Sequence, residues 1–240
     1  MKKIALLATL LSIASVSAAA DKAPLNLTVY NANENSFHVN STVVYGETEA
    51  AVIDAGFTKA DALRIAANVL DSGKQLTTIF VSQADPDYYF GVTQLKGIFP
   101  HAKVIATPDV VKVIKEKMAK KIAFWGPKMG NNAPDSLTLP TAYHSDYFVV
   151  DGKRIEIKGT TGPLAHRPYL WIPSVRAVVG NVGIYGELHA WTADVQNTTQ
   201  WQLWLKQLNQ MAALNPQIVV PGHMKPELAL TAQSIEFTKS

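Results

Sequence analysis

The 240-residue sequence contains no cysteine, so disulfides, thiol nucleophiles and cysteine metal ligands are all excluded. Its formal net charge is only +3, and no lysine or arginine run concentrates that charge, so a nucleic-acid-binding surface is not predicted. The sequence also lacks the G-x-S-x-G motif that carries the nucleophile of many serine hydrolases, and it lacks the glycine-rich loops that bind phosphates. With 48% hydrophobic residues, the composition is that of a globular protein whose predicted partner is a small-molecule substrate or ligand.

Long hydrophobic runs are absent except at the N-terminus. There a short apolar stretch, residues 4–13, follows Lys2 and Lys3 and precedes several small residues, which is typical of a cleavable signal peptide. The run is well short of the roughly 20 residues that span a bilayer. We therefore predict a signal peptide over residues 1–20, a mature protein over 21–240 that is periplasmic or secreted, and no stable membrane insertion after cleavage.

Strand and helix patterns then alternate in two similar halves. Alternating and β-branched residues predict strands over 25–30, 37–45, 49–53, 77–81, 104–107, 147–150, 154–158, 169–172, 177–179 and 217–220. Helical spacing predicts helices over 61–70, 91–99, 108–119, 198–214 and 227–237. Glycine, proline and asparagine between 124 and 140 predict a long loop that covers a site or binds a ligand. Strands followed by helices, twice, predict an α/β protein of two halves packed sheet against sheet.

Five landmarks occur in a fixed order along the chain. They are Ala51-Val-Ile-Asp-Ala-Gly56, the strand and loop over 79–91, Trp171-Ile-Pro173, Val179-Gly-Asn181 and Val219-Val-Pro-Gly-His223. This order resembles the metallo-β-lactamase superfamily of metal-dependent hydrolases. The resemblance implies one domain over 21–240, built as an αββα sandwich of two mixed sheets flanked by helices.

The resemblance also implies where metal ligands would stand. The family carries H-x-H-x-D-H, and here Gln83, Asp85 and Tyr88 replace its three histidines whereas Asp87 matches its aspartate. An aspartate at position 85 exchanges a nitrogen donor for an oxygen donor.

The later ligand positions are altered as well. The next histidine position falls on Pro163 and the bridging aspartate position on Asn181, whereas His223 matches. An ordinary two-zinc site is therefore not expected, and neither is true β-lactamase activity. The D-P-D-Y-Y-F-G segment, followed by H-x-W-x-A-D over 189–194, resembles an exported branch of the superfamily that is labelled hydrolase by similarity.

Asp85 and Asp87 are the first candidate catalytic residues. In an extended segment both side chains project to one face, and Pro86 between them stiffens the pair. Two close carboxylates favour a bound cation. The alternative is a solvated acidic turn. Tyr88 is the third candidate, either orienting substrate and donating to an oxyanion or simply anchoring the loop.

The resemblance favours a remodelled, mononuclear metal site. Asp87 and His223 would bind one divalent ion, zinc, manganese or iron, with Asp85 and His189 completing the set. A metal-activated water would then attack an ester, lactone or amide bond, with Asp85 as general base if it is not a ligand. The alternative is a metal-free protein that binds a ligand or a partner in the same cleft.

Five further residues are assigned around this site. The resemblance implies that Asp54 hydrogen-bonds the loop that carries the altered ligand motif, residues 82–91, which we name the motif loop; a simple turn or helix-capping role is the alternative. Gln83 and Asn181 are candidates to hold a water or a substrate oxygen where the family has ligands. Trp125 and Trp191 are predicted to cover or line the site, with purely structural packing as the alternative for each.

Overall fold

The computed structural model describes residues 23–240, so the predicted signal peptide lies outside the described residues. Its strands are β1 Asn26–Asn31, β2 Asn40–Tyr45, β3 Glu49–Ile53, β4 Gln75–Phe80, β5 Lys103–Ala106, β6 Thr141–Ala142, β7 Tyr147–Val150, β8 Lys153–Lys158, β9 Tyr169–Ile172, β10 Ala177–Val179, β11 Tyr185–Gly186, β12 Ile218–Val219 and β13 His223–Met224. The helices are α1 Lys59–Ser72, α2 Pro86–Tyr89, α3 Val92–Ile98, α4 Pro108–Met129, α5 Thr198–Ala213 and α6 Gln233–Lys239.

The first sheet is mixed and runs in the order β1-β2-β3-β4-β5-β6. Strands β1 to β3 are antiparallel, and β3 to β6 are parallel, with Ile53 paired to Phe80. Because the carboxyl ends of parallel strands meet at one edge, the residues that follow β3 and β4 become neighbours. That edge brings Asp54 next to Ser82, the first residue of the motif loop.

The second sheet runs in the order β12-β10-β9-β8-β7. Its β7–β8 hairpin turns at Asp151-Gly152, where both residues have positive φ angles. A separate two-stranded ladder pairs β11 with β13 and holds Tyr185 opposite His223. The second half of the chain therefore places the side chains of Tyr185 and His223 in the same region as the motif loop.

Three apolar layers hold the elements together. The inner faces of the two sheets pack on each other, and Phe80 stacks on Phe148 with ring centroids 5.5 Å apart. Helices α1, α3 and α4 cover the outer face of the first sheet, and α5 and α6 cover the second. This arrangement is the predicted αββα sandwich of two mixed sheets, and the fold prediction is confirmed.

The predicted loop from residue 124 is wrong over its first part. Helix α4 continues to Met129 with Pro127 inside its last turn. Pro127 lacks the amide hydrogen that would bond to the carbonyl four residues earlier, and the helix ends two residues after it. Trp125 therefore projects from a helix rather than from a loop, and its ring packs with the core beneath α4.

Two other boundaries differ from the sequence prediction. Strand β2 begins at Asn40, not at residue 37, because Phe37 and His38 adopt left-handed backbone angles that interrupt a strand. The last helix spans Gln233–Lys239, six residues later than predicted at its start. In contrast, Gly73 ends α1 in a left-handed conformation, as the sequence predicts. No helix within residues 23–240 has the length and apolarity needed to cross a membrane.

Candidate active site

The motif loop turns into a helix instead of running extended. Asp85 is the N-cap of α2, and Pro86 occupies its first turn, a position that suits proline because the amide hydrogen is not needed there. The prediction that Asp85 and Asp87 share one face of an extended segment is therefore wrong. Asp87 is 6% exposed, whereas the Asp85 side chain is 38% exposed and lies 3.9 Å from the Lys121 ammonium.

His223 lies at the centre of the site, just after the Pro221-Gly222 turn. Its Nδ1 is 2.8 Å from the carbonyl oxygen of Phe37. Because a carbonyl oxygen only accepts, Nδ1 carries the hydrogen and Nε2 of the neutral ring is an acceptor. The Tyr88 hydroxyl lies 3.2 Å from that Nε2 and the Asp87 carboxylate 3.5 Å. Tyr185 stacks on the imidazole, with the rings 10° from parallel.

Tyr88 connects two segments from beneath the site. It has no exposed surface, and its hydroxyl also lies 3.2 Å from the backbone oxygen of Asn181, so its single hydrogen is donated either to that oxygen or to Nε2 of His223. A Cβ added at Gly222 would lie 2.5 Å from this hydroxyl and 2.3 Å from the Asn181 oxygen. The absence of a side chain at Gly222 is thus what lets Tyr88 reach His223. The structure makes Tyr88 a positioning residue rather than a group that touches substrate.

Burial dominates the electrostatics of these groups. It raises the pKa of Asp87 well above its usual range, and the nearby Asp85 charge raises that pKa further. Burial lowers the pKa of His223, opposed by the bond from Nδ1 to Phe37. The pKa of the Tyr88 hydroxyl is also raised by burial, so the hydroxyl keeps its proton.

Asp54 fastens the start of the motif loop. Its two carboxylate oxygens accept from the Ser82 backbone amide and the Ser82 hydroxyl, each at 2.7 Å. Burial raises the pKa of Asp54 to about 7, although both Ser82 donors act in the opposite direction. Asp54 itself has a positive φ, which turns the chain away from β3 directly beside the loop it holds.

The two amide residues are occupied by structural bonds. Gln83 donates to the carbonyl of Pro168, and it lines a separate cavity beside Arg167 instead of facing His223. Asn181 donates to the carbonyl of Val220 and accepts from the Ile184 amide. Neither arrangement presents an amide to a substrate beside His223, which differs from what the sequence predicted.

A cavity of about 350 Å³ opens above Asp87 and His223. Of the sequence-predicted residues, Asp85, Trp125, His189 and Trp191 also line it. Besides Pro86, the lining includes six residues that no sequence pattern assigned to the site, which are Phe37, Phe57, Lys121, Val182, Tyr185 and Leu188. They come from four separate stretches of the chain, and only the tertiary fold brings them together.

The predicted metal set is not assembled by these positions. Within residues 23–240, no group of three or more histidine, aspartate or glutamate side chains is arranged to hold an ion. Asp87 and His223 form a pair, Asp85 turns to Lys121, and His189 is an exposed lining residue. A zinc site needs three or four protein ligands, so two donors do not fit such an ion.

Comparison with known proteins gives one family and one fold. The model of the metallo-beta-lactamase superfamily matches residues 35–223. No curated protein sequence matches the chain.

Several solved structures share the architecture. The metallo-beta-lactamase from Pontibacter korlensis aligns with a TM-score of 0.65 at 15% identity, covering 95% of each chain. A metallo-beta-lactamase family protein from Thermus thermophilus aligns with a TM-score of 0.61 at 18% identity, covering 90% of this chain and 78% of its own. The DIM-1 metallo-beta-lactamase aligns with a TM-score of 0.61 at 17% identity, covering 90% of each chain. At these identities the likeness shows the fold alone.

Proposed function

The chain belongs to the metallo-beta-lactamase superfamily, and from this premise we propose that its cavity hydrolyses a small ester, lactone or amide. Membership implies a hydrolase type of function, which in the superfamily depends on metal. In this chain Asp87 and His223 are too few to hold such a metal ion. The proposed chemistry therefore uses the imidazole of His223 and the carboxyl group of Asp87 without a metal.

One observation supports the proposal above the others: an imidazole and a carboxylate meet at the floor of a cavity large enough for a small molecule. His223 Nε2 and Asp87 Oδ2 are 3.5 Å apart, and both residues line the cavity. The bond from Nδ1 to Phe37 and the stacked Tyr185 ring fix the orientation of the imidazole. A fixed, oriented base is what general base catalysis requires.

The proposed reaction is a base-assisted attack by water. The single Tyr88 hydrogen bonds to either Asn181 or His223, and when it bonds to Asn181 the Nε2 lone pair is free to accept from water. His223 takes one proton from that water, and the oxygen forms a bond to the substrate carbonyl carbon. Asp87 orients the water beside Nε2. The imidazolium then returns the proton to the leaving oxygen or nitrogen as the ester or amide bond breaks.

The first experiment tests hydrolysis and metal dependence together. Purified protein is assayed with 2-naphthyl acetate, dihydrocoumarin and nitrocefin as ester, lactone and β-lactam probes, before and after dialysis against EDTA. We expect ester or lactone turnover that survives EDTA, with elemental analysis showing far less than one metal per chain. Loss of turnover in EDTA and its recovery with zinc would instead support a metal site that includes Asp85, Asp87, His189 and His223.

A matched pair of variants locates the base. His223→Gln keeps a polar side chain of similar reach but removes the basic nitrogen, and should lower kcat by about 10²- to 10⁴-fold. His144→Gln, in an exposed position outside the cavity, is the control and should leave kcat unchanged. Equal rates for the two variants would exclude His223 as the base.

A second candidate function is ligand binding without turnover. It is favoured by Gln83 and Asn181, whose amides serve the fold rather than a reaction. In that case cavity ligands would raise the melting temperature, and none of the ester, lactone or amide probes would be consumed. The same protein preparation distinguishes the two functions.

The N-terminal sequence adds a proposal about location. Residues 1–20 have the pattern of a cleavable signal peptide, so we propose that the working protein begins near Asp21 outside the cytoplasm. Mass spectrometry of the protein isolated from a periplasmic extract would give its first residue. An intact Met1 in that fraction, or retention in the cytoplasm, would contradict export.

A further inference from the structure

One wall of the cavity is made of three aromatic rings in mutual contact. The Phe37 and Phe57 centroids are 5.3 Å apart, Phe37 and Trp125 5.5 Å, and Phe57 and Trp125 5.3 Å. Phe57 is buried, Trp125 is half-buried, and Phe37 remains 42% exposed. We name these three residues the ring wall. It offers a ligand a broad apolar surface instead of isolated contacts.

Phe37 ties the ring wall to the proposed base. Its backbone oxygen holds Nδ1 of His223, while its own ring forms part of the wall. The left-handed backbone of Phe37 and His38 points the carbonyl and the ring of this loop to the same site. A ligand that packs against the ring wall therefore lies close to Nε2 of His223.

Trp191 lies at the cavity mouth with most of its ring in solvent. The residue is 66% exposed and is part of the cavity lining. It lines the same cavity as Tyr185, whose ring stacks on His223. A tryptophan exposed next to an apolar cavity gains free energy when a ligand covers it.

The charges of the cavity disfavour an anionic ligand. Its lining carries two carboxyl groups, those of Asp85 and Asp87, and one lysine, Lys121. That lysine lies 3.9 Å from Asp85, so a ligand carboxylate would compete with an existing partner. Burying an anion at the cavity floor would also cost free energy, because the described lining offers no lysine or arginine besides Lys121 to offset it.

We propose that the site takes an uncharged substrate whose non-reacting part is a planar apolar ring. The ring lies against the ring wall and is covered by Trp191, and the ester or amide carbonyl lies beside His223. This inference rests on the proposed hydrolysis for the position of the carbonyl, but the ring subsite exists independently of turnover.

Two probes of the same shape and different charge test it directly. Binding of 2-naphthol and of 2-naphthoate to the purified protein is measured by calorimetry at pH 7. Neither probe is hydrolysed, so the result does not depend on catalysis. We expect 2-naphthol to bind at least tenfold more tightly than the naphthoate anion. Equal binding, tighter binding of the anion, or no detectable binding of 2-naphthol would overturn the proposal.

Substitutions of two lining tryptophans test where the aromatic ring of the ligand binds. Trp191→Ala removes an exposed side chain, so folding should be unaffected while the Kd for 2-naphthol rises about tenfold. Trp125→Leu alters the wall more conservatively than alanine and should also weaken binding. Trp201→Ala is the control, because Trp201 is 40% exposed on α5 and lies outside this cavity. A Kd unchanged in both Trp191→Ala and Trp125→Leu, or raised equally in the Trp201→Ala control, would refute the assigned subsite.

The outcomes separate this inference from the proposed function. Binding of 2-naphthol with no turnover of 2-naphthyl acetate would keep the ring subsite and refute hydrolysis of that ester. Turnover of dihydrocoumarin without 2-naphthol binding would keep hydrolysis and refute the ring subsite.

Discussion

Replacing Asp54 with asparagine should change how stability depends on pH. Burial raises the pKa of this carboxyl from an ordinary 3.8 to about 7. The folded protein therefore holds the Asp54 proton more tightly than the unfolded chain does. Between these two pKa values the folded state binds more protons, so its stability falls as pH rises from about 4 to about 7.

The magnitude follows from the two pKa values. One pKa unit corresponds to about 1.4 kcal/mol, so the Asp54 contribution declines by up to about 4 kcal/mol across this range. Asparagine does not titrate but keeps the shape. Its oxygen can accept from the Ser82 amide, and its amide can donate to the Ser82 hydroxyl, which also accepts. The variant should therefore fold with both contacts in place.

The assay is urea unfolding followed by tryptophan fluorescence at pH 4.5 and pH 8. Relative to the unmodified protein, the Asp54→Asn variant should gain about 3 kcal/mol of unfolding free energy between the two pH values, because the unfolded carboxyl is already mostly ionised at pH 4.5. Taking the difference between the two proteins cancels the other titrating groups. Asp135→Asn, at a side chain 81% exposed, is the control and should show a small, constant difference. A constant difference for Asp54→Asn would refute the argument that burial controls this carboxyl.

Three other substitutions test the packing and the loop contacts. Gly222→Ala should lower the free energy of unfolding in urea by about 1–3 kcal/mol, because the added Cβ would overlap the Tyr88 hydroxyl and the Asn181 oxygen. Gly97→Ala is the control and should not destabilise the protein, because nothing lies within 4 Å of the added Cβ. Equal effects of the two glycine variants would contradict the proposed close approach. Asp151→Asn should weaken the link from the β7–β8 turn to Thr48, because hydrogen bonds from Thr48 hold the pKa of Asp151 below its usual range. That loss should be present at pH 7 and should vanish as pH falls below the folded pKa, the opposite of the Asp54 trend, which denaturation at pH 3 and pH 7 would show. Trp204→Phe removes the bond from Nε1 to the Gly183 carbonyl and should cost about 1–3 kcal/mol, measured by thermal unfolding; a neutral result would mean that the carbonyl finds another donor.

The candidate site was only partly predictable from the sequence. Asp87 and His223 match a ligand pattern in the sequence, and the structure places them together. An extended chain would direct Asp85 and Asp87 to one face, but Pro86 begins a helical turn that directs the two carboxyl groups differently. No local pattern distinguishes these two outcomes for an Asp-Pro-Asp segment.

The orientation of the Tyr88 side chain is a second feature that the sequence does not predict. The sequence identifies a tyrosine where a family member would have a histidine, and it leaves open whether that side chain faces substrate or the core. The answer depends on Gly222 and Asn181, which lie more than ninety residues away and leave room for the hydroxyl beneath His223.

By itself the sequence determined most of the strands and helices, because strand alternation, helix caps and glycine stops are set by neighbouring residues. The αββα sandwich and the place of the site were implied by the resemblance of five landmarks to a known family. The parallel strands β3 and β4 then fixed Asp54 beside Ser82 through simple geometry. Only the tertiary structure decided the rest. The ring wall joins Phe37, Phe57 and Trp125 from three segments, and burial sets the proton affinities of Asp54 and Asp87. The ring wall and the raised pKa values both arise because segments far apart in the chain pack together and exclude water. No single stretch of the sequence specifies that packing.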